Sequence, residues 1–257
     1  MTDLRHDPQD DVLLLTIDRP ARGNALTPAL IEAIGDAVLA APGLGVRAIV
    51  VTGAGERHFC TGIDMAAFAD TDADPAFLAD PYGGARRSLF EIVAEAEVPV
   101  VAAVNGTAMG GGLELLLACD LAVASDAATF ACPEAKRGMG AQFAAVVLPR
   151  RIPPAHAMDM LLTGEPITAA EAKERGLVVA LAAPDRVVEL ALARARAIAA
   201  NAPLSVQRIR RVARRSREMP LAAALRLDEH PNPYRSEDRL EGLRAFLEKR
   251  PPDWKGR

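Results

Sequence analysis

"NGTAMGGGLELLLACD", Asn105–Asp120, is the stretch on which the reading of this chain turns. Glycine is costly in backbone entropy and normally marks a tight turn or a close backbone approach, and here Gly110, Gly111 and Gly112 stand in a row before a helix-forming run. Glu114 then sits among Leu113, Leu115, Leu116 and Leu117. A carboxylate in such company is expensive unless it is paired or used. Glycines at a helix start expose backbone N–H groups, and the helix dipole adds partial positive charge there. That makes a site for an anion, or for a developing oxyanion, without a charged side chain.

Outward from this stretch the chain alternates strand and helix. "VPVVAAV" (Val98–Val104) precedes it and "DLAVAS" (Asp120–Ser125) follows. "VLLLTID" (Val12–Asp18) and "RAIVVTG" (Arg47–Gly53) read as further buried strands. Between them, Thr27 as a cap and Pro28 at the first helical position open a helix with Leu30, Ile31, Ile34 and Val38 at helical spacing. The pattern predicts an α/β core. After about residue 141 strand signals nearly vanish. Thr168 and Glu171 form a capping box with Gly176 as the stop, and "RVVELALARARAIAAN", "SVQRIRRVARRS" and "EDRLEGLRAFLEKR" are amphipathic helices. We expect residues 1–195 to form the α/β core and 196–257 a helical region. No exact repeat is visible, and Asp70–Pro81 reads as a flexible stretch.

The 257 residues are half hydrophobic and a quarter charged, with a formal net charge of -4, which argues against a dedicated polyanion binder. Cys60, Cys119 and Cys132 are odd in number and form no CxxC pair, so a reducing cytoplasm is expected. The polar, acidic start is unlike a targeting peptide, and no apolar run has the length of a membrane helix.

Several motifs fail. "VTGAGERHF" has His58 at the third glycine position of a dinucleotide loop, there is no Walker-type loop or GxSxG elbow, and the four histidines lack metal spacing. Asn105-Gly106-Thr107 is a sequon by accident, following an apolar strand. The six arginines between Arg208 and Arg217 read as the solvated face of a helix rather than as an anion site. Cys132 has no histidine near it in sequence and reads as a small buried hydrophobe.

Two other segments extend the chemistry. In "FCTGIDM" (Phe59–Met65), Gly62 lets the chain turn tightly after a strand. An N–H from this loop and one from the glycine triplet, aimed at one carbonyl oxygen, would form an oxyanion hole, in which each donor is worth about 2.7–4 kcal/mol. In "FACPEAKRG", Glu134 follows Pro133, and although alone it reads as a surface residue, a second glutamate beside backbone donors suits acid/base chemistry.

Taken together, "RPARGNAL", "FCTGIDM", "PVVAAVNGTAMGGGLELLLACD", "TFACPEAKRGMG", "LTGEPITAAEAKERGLV" and "FLEKRPPDWKG" resemble, in order and nearly end to end, the crotonase or enoyl-CoA hydratase/isomerase superfamily. The resemblance implies a crotonase-like fold of repeated ββα units with a C-terminal helical trimerisation region. It implies oxyanion-hole N–H groups at Ile63 and Gly111, and catalytic glutamates at Glu114 and Glu134. The loop Ile63, Asp64, Met65 and Ala66, with Gly111, would line the acyl-CoA groove. Coenzyme A would enter as part of the substrate, with no separate cofactor and no metal. The implied activity is reversible hydration of a 2-enoyl-CoA by a cytoplasmic lyase of fatty-acid metabolism, with one glutamate's pKa raised by burial and a nearby like charge.

One departure stands out. Ala141, Gln142 and Phe143 occupy a loop where hydratases carry further glycines. "PEAK" followed by "LPRRIPP" resembles the carnitinyl-CoA dehydratase-like branch more than the short-chain hydratases. A double-bond isomerase, or a non-catalytic RNA-binding homologue using the arginine-rich helix, are the alternatives. Leu240, Leu243, Phe246 and Leu247 repeat at helical spacing, and with the resemblance they predict a homotrimer or a hexamer built as a dimer of trimers.

Overall fold

The computed structural model describes residues 3–69 and 87–257, so the Asp70–Pro81 stretch lies outside the described residues. Among the described residues ten strands form two sheets. The larger holds β1 (Leu4–Gln9), β2 (Val12–Ile17), β3 (Ala48–Gly53), β5 (Val100–Val104), β7 (Leu121–Ser125) and β10 (Ala180–Ala182), paired in that order. The smaller holds β4 (His58–Cys60), β6 (Thr107–Met109), β8 (Thr129–Ala131) and β9 (Ile167–Thr168). β1 with β2 and β8 with β9 pair antiparallel, and the other pairs among the described residues are parallel.

From β3 to β8 successive strands alternate between the sheets, and helices follow the pairs. β3 and β4 lead to α2 (Met65–Ala69), β5 and β6 to α4 (Gly111–Ala118), and β7 and β8 to the turn carrying Glu134. This is the expected ββα repetition. It escaped detection as a sequence repeat because the second strand of each unit has only three residues, too few to show a period.

The four long predicted strands are present, and they are almost entirely apolar and buried because both sheet faces are covered. Leu13, Leu15, Ile49, Val51, Val100 and Ala102 face the main core with α1 (Pro28–Ala40), α3 (Leu89–Glu95) and α4. Leu14, Val50, Val101, Ala103 and Val123 face α8 (Val187–Ala199) through Val187, Ala191, Leu192 and Ala195. Residue 195 therefore falls inside a helix that packs on the sheet, and Ala199 still belongs to that contact. Both expected caps form. Thr27 accepts from the Leu30 N–H, and Thr168 and Glu171 make a reciprocal capping box on α7 (Ala169–Glu174). Two further helices, α5 (Gln142–Val147) and α6 (Pro154–Thr163), separate the glutamate turn from β9.

The arginine-rich helix α9 (Pro203–Arg215) departs from the expected solvated face. Arg210 is nearly buried, pairs with Asp120 at 2.6 Å, and donates to the carbonyls of Val93, Ala94 and Ala96 at the end of α3. Arg151 donates to the Cys119 carbonyl at 2.7 Å, and Arg214 to that of Ala118 at 3.4 Å. Two helix C-termini, each with unsatisfied carbonyls and partial negative charge, are thus capped by cations. Arg208 and Arg211 donate to the carbonyls of Glu229 and His230, and Arg215 pairs with Glu229. Repeated arginines near a run of apolar helix termini are caps as readily as they are a binding face, and sequence spacing does not separate the two.

Asp120 also accepts from the Val100 N–H at 2.8 Å, which ties α4 to the start of β5. Truncating Arg210 to methionine would leave Asp120 and three carbonyls short of a donor, and should lower folding stability by about 3 kcal/mol. Combining it with Asp120→Asn should cost clearly less than the sum, and urea unfolding of both single variants and the double variant measures that coupling.

Candidate active site

The site is built where α4 begins. Gly110 has φ +57°, a left-handed conformation that a side chain resists, and a Cβ there would sit 3.2 Å from Glu134 Oε1. At Gly112 a Cβ would lie 1.9 Å from the Cys60 carbonyl oxygen, an impossible overlap. The helix can start hard against the end of β4 only because this residue has no side chain.

The loop after β4 touches the same point. A Cβ on Gly62 would come within 3.0 Å of the Gly111 nitrogen. Ile63 lies next to it in a short parallel bridge with Leu26: the Leu26 N–H donates to Gly62 O at 2.7 Å, and the Asp64 N–H donates to Leu26 O at 2.9 Å. In that pattern the Ile63 N–H points away from its neighbour. Neither it nor the N–H of Gly111, the first residue of α4, has an acceptor among the described residues. The two donors expected to act together therefore occur on loops in direct contact.

Glu114 is completely buried in the first turn of α4. Its Oε1 accepts from the Ala144 N–H at 2.9 Å, while its Oε2 has no hydrogen-bond partner among the described residues. Glu134, in the one-turn helix after Pro133, is also buried, contrary to the surface position that its sequence context suggested, and its Oε2 is likewise without a partner. Burial chiefly, and also the charge of Glu134, push the Glu114 carboxyl up from 4.5 to about 7, against the opposing hydrogen bond from Ala144. The expected raised glutamate is thus Glu114.

In the groove loop, Ile63 and Asp64 are half-buried, while Met65 and Ala66 are exposed. The Asp64 carboxylate faces Arg19 at 2.8 Å rather than standing free. Cys132 is buried, and burial together with the Glu134 charge pushes its thiol well above the ordinary range, which disfavours a thiolate nucleophile. Among the described residues no group of three or more His, Cys, Asp or Glu could hold a metal ion, and no helix is long and apolar enough to cross a membrane.

Sequence reasoning missed four contributors. Ala144 acts through its backbone, which no motif records. Asn24 and Asn105 are buried and brace the approach to β4: Asn24 donates to the carbonyls of Ala54 and His58, and Asn105 to those of Gly55 and His58. The sequon asparagine is therefore an interior brace. Arg19 was present in "RPARGNAL" but carried no signal of its partner, 45 residues away.

Comparison with known proteins finds relatives along nearly the whole chain. The family described as Enoyl-CoA hydratase/isomerase matches residues 7–257. The chain is 38% identical over 261 residues to a carnitinyl-CoA dehydratase of Salmonella arizonae, covering 98% of each chain. It is 37% identical to one of Proteus mirabilis, covering 96% of this chain and 95% of that one. Among solved structures, an enoyl-CoA hydratase of Bacillus anthracis superposes with a TM-score of 0.90 at 30% identity over 100% of both chains. One of Mycobacterium tuberculosis superposes with a TM-score of 0.89 at 35% identity over 99% of both.

A buried carboxyl with a raised pKa makes the fold less stable as pH rises. Below 4.5 Glu114 is neutral folded or unfolded; between 4.5 and about 7 it ionises only in the unfolded chain, which draws the equilibrium away from the fold. Above that range the cost is complete, on the order of 3 kcal/mol. Glu114→Gln should therefore be more stable than the parent at about pH 8 and no more stable at about pH 4, as urea unfolding at the two pH values will show.

Proposed function

The chain belongs to the enoyl-CoA hydratase/isomerase family, and from that premise we propose that it is a hydro-lyase interconverting a 2-enoyl-CoA and a 3-hydroxyacyl-CoA. One observation carries the reading: two buried glutamates, each with an oxygen lacking a protein donor, beside a pair of backbone N–H groups lacking acceptors. The N–H groups of Ile63 and Gly111 would hold the thioester oxygen and stabilise the enolate that forms when the β-carbon is attacked. Glu114 and Glu134 would bind a water molecule between them, direct its oxygen to the β-carbon and return its proton to the α-carbon. A Glu114 carboxyl near neutral pKa is suited to holding or releasing that proton at physiological pH. Elimination is the same path reversed, and the relatives named carnitinyl-CoA dehydratase favour that direction on a polar acyl group. Isomerisation can proceed with one acid/base residue, so the retention of two supports the hydro-lyase reading.

The acyl-CoA would lie along the loop Ile63–Ala66, where Met65 and Ala66 are open to solvent. The RNA-binding alternative loses its motivation, since every arginine from Arg208 to Arg215 is engaged by carbonyls or carboxylates of the chain.

A panel of enoyl-CoA thioesters of varied acyl length and polarity, monitored for loss of conjugation, tests the activity. Glu114→Gln and Glu134→Gln should each reduce kcat by about 100-fold or more with acyl-CoA binding retained. The two losses should be strongly non-additive because the residues act as one unit. Hydration at the parent rate in either variant would remove that residue from the mechanism.

We also propose that residues 196–257 build a homotrimer or hexamer. On α10 (Glu237–Glu248), Leu243, Phe246 and Leu247 are 59%, 81% and 70% exposed, so the apolar stripe has no cover among the described residues. Truncation before Ser236 should abolish both assembly and activity, as light scattering beside the hydration assay would reveal. A fully active monomer at micromolar concentration would exclude it.

A further inference from the structure

Arg19 joins three segments around the proposed oxyanion hole. Its guanidinium meets Asp64 Oδ2 at 2.8 Å and Asp3 at 3.0 Å, and donates to the Ala25 carbonyl at 2.6 Å. Its own N–H donates to the Asn24 side chain at 3.0 Å. The Arg19 and Asp64 side chains are only 15% and 13% exposed, so solvent screens this pair far less than a surface ion pair. Asp64 uses its other oxygen to accept from the Ala67 N–H at 3.3 Å, capping α2. The Arg19 guanidinium, with that cap, holds the Asp64 carboxyl below its usual range.

Asp64 is the residue after Ile63, and the segment Arg19–Leu26 grips the loop from two directions. One is the backbone bridge from Leu26 to Gly62 and Asp64, and the other is the ion pair to the Asp64 side chain. Between these two anchors the peptide carrying the Ile63 N–H has little freedom left to rotate. A peptide fixed only by the bridge could tilt about it. A donor misaligned by a fraction of an ångström then loses much of its effect on a developing oxyanion.

We propose that Arg19 is a positioning residue of the reaction, acting through its ion pair with Asp64 to hold the Ile63 N–H in line with the thioester oxygen. The proposal rests on the hydro-lyase reading above. It assigns Asp64 a task in the loop's geometry, beyond lining the groove.

The test uses the full chain carrying Arg19→Met, Asp64→Asn or Arg19→Lys. Turnover of an enoyl-CoA is measured together with the red shift of a conjugated aromatic enoyl-CoA thioester on binding, which reports polarisation of its carbonyl. Arg19→Met and Asp64→Asn should each lower kcat by about 10- to 100-fold and shrink the red shift. KM should stay within about threefold, because the Asp64 carboxylate is already engaged by Arg19 and the Ala67 N–H and is not free to hold the substrate. Arg19→Lys, which keeps the charge but not the fork, should recover part of both signals. Should Arg19→Met fail to fold, Asp64→Asn decides, since its amide keeps the shape and the oxygen that caps Ala67.

A folded Asp64→Asn protein with the parent's kcat and red shift overturns the proposal. So does a loss confined to KM. A parent protein that binds the thioester with a red shift yet hydrates no enoyl-CoA would overturn the hydro-lyase reading instead. In that case the red shift of the variants still decides whether Arg19 positions the donor.

Discussion

The arrangement depends on the close approach of α4 to the end of β4. A side chain at Gly112 would overlap the Cys60 carbonyl, and one at Gly110 would crowd Glu134 and resist its backbone angle. With both absent, the helix starts against the neighbouring loop, and its first free N–H lies beside Gly62. Two helix-starting loops from different ββα units thereby meet at one point. Their unsatisfied donors, which in an ordinary helix would face water, become a feature of a partly buried site.

Such a point contact is held by polar groups rather than by apolar packing alone. Asn24 and Asn105 satisfy carbonyls on the approach to β4, Arg19 and Asp64 fasten the loop after it, Arg151 and Arg214 cap the far end of α4, and Arg210 joins Asp120 beyond that end to the end of α3. Hydrophobic burial is non-directional and cannot set the angle of a peptide plane. Hydrogen bonds and ion pairs are directional, and in a low-dielectric interior they resist rearrangement. The same reasoning explains why α9, outside the ββα units, bears on the site: its arginines hold two helix ends in the core.

Stability is given up at the centre. Glu114 has one oxygen satisfied by Ala144 and one left over, in surroundings that disfavour its charge. An apolar residue would suit the core better. Retaining a carboxyl there makes sense if its leftover oxygen is to bind a reactant, which is the trade-off expected of a preorganised site.

Much of this was legible in the sequence. The apolar runs of β2, β3, β5 and β7, the caps at Thr27 and Thr168, and the glycine triplet with its glutamate are local patterns, and local patterns follow from a residue and its near neighbours. The three-residue strands were not legible, because a strand that short has no period of its own and exists only where a partner strand lies beside it. Glu134 read as a surface residue because burial is a property of what packs around it, and the arginines of α9 read as solvated because their acceptors are carbonyls distant in sequence. Tertiary structure decided those points, along with the bond from Ala144 to Glu114 and the pairing of Arg19 with Asp64. Backbone groups look alike in any sequence, and only the fold determines which of them a distant side chain will meet.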